Sequence, residues 1–100
     1  MSDREQAAIQ RNLDFEKLPE RFRGGMERYL EHGIMPGHFM TAVLENNLSE
    51  SFARADDEAR QLLFAIVSFC YNELPLTAWG SAEKVRGWVA RIQEAAHAEG

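Results

Sequence analysis

One long apolar stretch constrains this chain most: it spans Leu62–Tyr71 and is interrupted only by Ser68. Asp56, a residue type that favours helix N-caps, lies shortly before this stretch, and Pro75 lies shortly after it. These signals predict a helix over about 57–73. Because a helix that is apolar on all sides is normally buried, we expect it to be the central helix of the fold.

Shorter helical patterns occur on both sides of this segment. No stretch alternates polar and apolar residues for long enough to predict a strand. Capping residues and apolar periodicity predict further helices over about 3–12, 19–32, 37–45, 48–54 and 82–96. The pair Gly24-Gly25 marks a kink, a break or a close contact in the second of these. The sequence therefore predicts an all-α fold of five to six short helices around one buried central helix, at about 57–73.

The length of 100 residues suits one helical domain over 1–100, in which 1–18 form a flexible or peripheral N-terminal segment. The polar start of the chain has no apolar region of the kind found in secretion signals. The single cysteine, Cys70, lies within the apolar stretch and is expected to be a buried, inert thiol. Without a disulfide or a signal, the cytoplasm is the expected compartment, and no membrane span is expected.

Short motifs occur in a fixed order over about residues 26–90: Tyr29, His32–Phe39, Ala42–Leu48, Arg54–Asp57, Tyr71–Glu73, Trp79–Ser81, Lys84-Val85 and Trp88. This ordered set resembles a family of small uncharacterised proteins of tailed bacteriophages and prophages. The resemblance implies a small accessory phage protein in the cytoplasm of a bacterial host. Proteins of this kind often alter host functions or block host defences, including CRISPR systems. No activity or functional residue can be transferred from the family.

Metal and catalytic sites lack the motifs that they need. His32, His38, His97 and Cys70 do not have the CxxC or HxxxH spacing that places two ligands at one site. No nucleophile-elbow motif surrounds any serine. The acidic residues 56–58 could serve acid–base chemistry, but a solvated helix start explains them more simply. We therefore expect no metal, no cofactor and no catalytic residue.

A phosphate-bearing nucleotide is one candidate ligand. Trp79-Gly80-Ser81 opens a predicted helix whose free N–H groups could bind an anion. Lys84 lies one turn further on, and Trp79 could stack on a base. In the alternative interpretation this is a packed loop, with Trp79 in the core and Ser81 as the helix cap.

DNA binding is a further candidate, because the predicted helices at about 37–46 and 48–54 could form a helix-turn-helix. The second helix would carry only one basic residue, Arg54, although recognition helices normally present several groups to phosphates and bases. The net charge of −5 also disfavours contact with phosphates. Nucleic acid is therefore an unfavoured partner.

Protein binding is the leading hypothesis, with a bacterial host protein as the partner. The predicted loops contain apolar side chains of the types that are enriched at interfaces, although each could instead pack in the core. A homodimer is also plausible, because the chain is short and rich in large apolar residues. The candidate surface consists of Ile34, Met35, Arg54, Asp56, Asp57, Trp79, Ser81 and Lys84.

Overall fold

The computed structural model describes residues 13–99, and these contain five α-helices and no strand. The helices are α1 (Glu20–His32), α2 (His38–Leu44), α3 (Leu48–Arg54), α4 (Asp57–Glu73) and α5 (Ala82–Glu99). A short 3-10 helix, Phe15–Lys17, precedes them. The predicted all-α fold is confirmed, whereas the helix predicted over 3–12 lies outside the described residues. No helix within residues 13–99 combines the length and the apolar character needed to cross a bilayer.

Side-chain caps begin three of the helices. The Asn47 side chain accepts a hydrogen bond of 3.2 Å from the backbone N–H of Glu50 at the start of α3. Asp56 accepts one of 2.8 Å from Ala59 at the start of α4. Ser81 Oγ accepts a hydrogen bond of 3.1 Å from the backbone N–H of Lys84 at the start of α5. Each cap satisfies a backbone donor that the first helical turn leaves free, so the helices begin where the sequence predicts.

The turn between α1 and α2 depends on Gly33. Its φ of +64° is left-handed, and its N–H donates to the Tyr29 carbonyl at 3.1 Å. Helices commonly end in this way, with glycine in a conformation that a Cβ would strain. α1 continues without a break through the Gly24-Gly25 pair. Gly25 instead approaches the turn, since a Cβ added there would lie 3.8 Å from Pro36 Cβ.

The core lies between α1, α5 and the inner side of α4. The Trp88 indole N–H donates to the Tyr29 carbonyl at 3.3 Å, and this contact joins α5 to α1. Gln93 on α5 also donates to the carbonyl of Gly33, at 3.3 Å. The largest fully buried side chains are Trp88, Tyr29, Phe69, Leu18, Met26, Leu30, Leu44, Ile66, Val85 and Cys70.

The prediction that the helix at 57–73 is buried on all sides is not confirmed. One side of α4 is buried, through Leu63, Ile66, Phe69 and Cys70, but Phe64 is 85% exposed. Hydrophobic composition does not tell which sides of a helix other elements will cover. No element within residues 13–99 covers the side of α4 that carries Phe64, so α4 forms one wall of the core instead of its centre.

Candidate functional site

An exposed apolar stripe on α4 is the most unusual surface feature of the fold. It consists of Phe64, Val67 and Tyr71, which are 85%, 39% and 76% exposed. The spacings of three and four residues place all three on one side of the helix. Single exposed apolar residues are normal on protein surfaces, but a contiguous set is typical of an interaction site.

A groove of about 440 Å³ runs beside this stripe. Phe64, Ala65 and Phe69 line its apolar part, and its polar part is lined by Lys17, Ser68, Asn72 and Glu73. The Glu73 carboxylate lies 3.9 Å from Lys17 Nζ and accepts a hydrogen bond from the backbone N–H of Asp14 at 3.0 Å. These contacts fix the polar end, so the groove has a defined shape.

The stripe is electrically neutral. No residue from Gln61 to Asn72 is charged. The charges at its two ends are already paired, because Arg60 lies 3.3 Å from Asp57 at one end and Lys17 contacts Glu73 at the other. Interface centres are depleted of charge and have a polar rim, and the stripe has both properties. Sequence analysis missed it because the same residues were expected to be buried.

The predicted loop anchors separate into two groups. Ile34 and Met35 are exposed in the α1–α2 turn, at 50% and 43%, as an interface anchor must be. Trp79 packs against the core, and its indole N–H is enclosed without a hydrogen-bond partner within residues 13–99. Of the two alternatives that the sequence left open for Trp79, an exposed anchor and a packed loop, this placement favours the packed loop.

The start of α5 retains only part of the predicted nucleotide site. Ser81, Lys84 and Arg91 line a cavity of about 470 Å³. Ser81 Oγ caps the helix, however, and Lys84 lies against Gly80, where an added Cβ would be 3.5 Å from Nζ. Trp79 does not line this cavity. Lys84 and Arg91 thus share one cavity, but no aromatic side chain among the described residues lines it as a platform for a base.

The α2–α3 pair does not present a basic face. Arg54 is the one cation on α3, and its Nε lies 3.1 Å from the carboxylate of Glu50 one turn earlier. The exposed side chains Leu48 and Phe52 lie four residues apart on the same helix, at 65% and 45%. A helix that reads DNA needs cations and polar groups to contact phosphates and bases. The geometry of α3 therefore does not favour DNA binding.

Arg54 and Asp56 meet at a second, more polar cavity of about 300 Å³. Asp56 caps α4 and also accepts two hydrogen bonds from the guanidinium of Arg21, one of them at 3.0 Å. The bond from Arg21, followed by that from the Ala59 N–H, lowers the pKa of Asp56 from 3.8 to about 2. Asp57 lies outside this cavity and pairs with Arg60.

Arg28 also lines this cavity, and sequence analysis identified neither Arg21 nor Arg28 as a site residue. Arg21 and Asp56 are 35 positions apart, and no local pattern links them. The side chains meet only because the turn after α1 and the short helices α2 and α3 bring the start of α4 back beside α1. The one signal in the sequence was a small cluster of arginines, Arg21, Arg23 and Arg28.

Neither the grouping of possible metal ligands nor the comparison with known proteins assigns a function. Within residues 13–99, no three His, Cys, Asp or Glu side chains are grouped as a metal ion would require. Comparisons of the chain with protein families, with curated proteins and with solved structures find no match. The functional interpretation therefore depends on the surfaces described above.

Proposed function

We propose that this chain is a non-enzymatic binding protein that docks on another protein through the Phe64–Val67–Tyr71 stripe of α4. The observation that carries the proposal is the exposure of two aromatic side chains on one side of a helix, with no charge among them. Aromatic residues contribute most of the energy at many interfaces, because they remove much apolar area from water.

The shape and charge of the stripe indicate the kind of partner. A groove beside a helix suits the apolar side of a second helix, whose side chains at spacings of three and four residues would enter it. The absence of charge from Gln61 to Asn72 favours a partner helix that is apolar at the contact. Exposed cations such as Lys17 would lie at the rim, where charges affect association rate more than affinity.

The resemblance to tailed-phage proteins suggests where such a partner would be found. It favours a bacterial host protein in the cytoplasm, and a component of a defence system is one class of target. In this proposal the chain acts as an inhibitor by covering an apolar helix that the target needs. Neither catalysis nor a cofactor is required for this action, since occupancy of the surface is sufficient.

The test is binding to a host protein with and without the stripe. Tagged wild-type chain is used to capture proteins from a bacterial lysate, beside the double variant Phe64→Ser/Tyr71→Ser and the matched control Leu76→Ser. Leu76 is 74% exposed but lies in the loop after α4, so its replacement removes exposed apolar area outside the stripe, in a smaller amount than the double variant removes from it. Circular dichroism verifies that all three proteins remain helical.

A captured protein counts only if direct binding reproduces the pattern. With the purified partner, we expect the double variant to bind at least about tenfold more weakly than the wild type, and Leu76→Ser to bind equally well. Equal binding by all three would contradict the stripe as the docking surface. Sedimentation equilibrium tests whether a second copy of the chain occupies the stripe instead. A dimer that only the double variant loses would assign the stripe to that second copy and overturn the proposal of a host partner.

A further inference from the structure

A second site of different chemistry lies away from the stripe, in the cavity between α1, the α1–α2 turn and the start of α4. We propose that this cavity binds a small organic oxyanion, a carboxylate or a phosphate ester, with the Arg28 guanidinium as its principal ligand. The cavity has a volume of about 300 Å³, at the lower end of the range for small-molecule sites. It does not depend on the docking surface proposed above.

Three arginines line the cavity, and they differ in what already binds them. Arg21 donates from both terminal nitrogens, Nη1 and Nη2, to the carboxylate of Asp56, and Arg54 lies 3.1 Å from Glu50. The side chain of Arg28 has no hydrogen-bond or ion-pair partner among residues 13–99. In a chain with a net charge of −5, a guanidinium beside a cavity and without a carboxylate is a vacant binding group for an anion.

Gly24 and Gly25 set the position of this guanidinium. A Cβ added at Gly24 would lie 3.3 Å from Arg28 Nη1, and one added at Gly25 would lie 3.9 Å from Nη2. The side chain of Arg28 therefore lies back along α1, over the turn that precedes it, which is the direction that helix geometry favours. The glycine pair gives it room to lie there.

The remaining walls indicate that the anion is carried on an apolar body. The rings of Phe22 and Phe39 lie 5.6 Å apart between their centroids, and both residues line the cavity with the buried Met40. Inorganic phosphate would use only the polar side of such a site. A ligand with a small ring or chain and one oxyanion would bury its apolar part against these side chains and give its charge to Arg28.

The experiment is a titration of the whole, isotope-labelled chain with phenyl phosphate and with benzoate, followed by NMR at low ionic strength. We expect saturable shifts in α1 and in the α1–α2 turn with at least one of the two compounds. Inorganic phosphate should bind at least about tenfold more weakly, because it lacks the apolar body. The comparison of phenyl phosphate with benzoate identifies which oxyanion the site prefers.

The variants Arg28→Gln and Gly24→Ala test the role of Arg28. The variant Arg86→Gln is the control for the loss of one positive charge. Arg28→Gln should weaken binding by about tenfold or more, whereas Arg86→Gln, at an exposed position of α5, should leave it unchanged. Gly24→Ala should also weaken binding, because its Cβ displaces the guanidinium, although alanine favours the helix. The absence of saturable shifts with both compounds, or equal weakening by Arg28→Gln and Arg86→Gln, would overturn the proposal.

Discussion

The hydroxyl of Tyr29 donates a buried hydrogen bond of 2.6 Å to the carbonyl of Ala78, which joins α1 to the loop between α4 and α5. The same tyrosine accepts, through its own carbonyl, the indole N–H of Trp88. The pKa of Tyr29 is raised well above 10.0, and burial is the largest cause of this shift. The phenol therefore remains a hydrogen-bond donor into the alkaline range. One residue of α1 thus fixes both the loop and the last helix.

Replacing Tyr29 by Phe should lower the free energy of unfolding by about 1–3 kcal/mol, because the buried carbonyl of Ala78 would lose its donor. Urea unfolding followed by circular dichroism measures the change. Tyr71→Phe is the matched control, since it removes the same hydroxyl from a side chain that is 76% exposed. If both variants lost the same stability, the hydrogen bond to Ala78 would not be the cause.

Gly33→Ala should destabilise the chain by roughly 1–2 kcal/mol, the cost of a left-handed conformation for a residue with a Cβ. The backbone φ is +64° there, and the new Cβ would lie 3.2 Å from the Val89 carbonyl oxygen. Gly37→Ala is the control, because φ is −59° and no atom of the described part of the chain lies within 4 Å of an added Cβ. Thermal unfolding of the two variants gives the comparison, and similar midpoints would contradict the steric argument.

The elements that the sequence predicted well are those whose causes are local. The helix bounds 48–54 and 57–73 agree with α3 and α4, and the caps Asn47, Asp56 and Ser81 all accept the expected N–H. Each of these bonds joins residues that are three positions apart. A cap therefore leaves its signal within a few residues of sequence, whatever the rest of the chain does.

The features that the sequence did not predict depend on which elements meet in space. Burial of one side of α4 and exposure of Phe64 on the other depend on the placement of α1 and α5. The sequence left open whether Trp79 is enclosed, because this depends on the loop, whose Gly80 N–H donates to the Leu44 carbonyl at 2.7 Å. The hydrophobicity of a helix shows how many apolar residues it has, but it does not show which of them other elements of the fold will cover.

The stability of the chain should depend on pH through Asp56. Its pKa is lowered from 3.8 to about 2 by the hydrogen bonds from Arg21 and Ala59, so folding favours the ionised carboxylate. The stabilisation is complete above about pH 4 and is lost as the pH falls through about 2. The difference in free energy of unfolding between wild type and Asp56→Asn should therefore shrink over this interval.

Urea unfolding at several pH values measures this difference for Asp56→Asn and for the control Asp57→Asn. The Asp57 side chain is 95% exposed and, among residues 13–99, pairs with Arg60 alone, so its loss should matter less at neutral pH. A difference for Asp56→Asn that stayed constant from neutral pH down to the acid range would show that ionisation of this carboxylate does not support the fold.

Cys70 offers a direct measure of how firmly the inner side of α4 is held. Its thiol is fully buried, and burial raises its pKa to about 12. Because the thiolate is the reactive form, alkylation by iodoacetamide at mildly alkaline pH requires α4 to leave the core. We expect labelling to be at least about a thousandfold slower in the folded chain than in urea, as for a domain of ordinary stability.

The matched control places a thiol on the exposed side of the same helix. Asn72→Cys in a Cys70→Ala background should react at nearly the unfolded rate, because Asn72 is exposed. Mass spectrometry at increasing urea then separates local opening from global unfolding, since only global unfolding gives a labelling rate that follows the circular dichroism. Rapid labelling of Cys70 in the folded chain would mean that α4 leaves the core readily, and the exposed stripe would then be part of a mobile helix instead of a fixed docking surface.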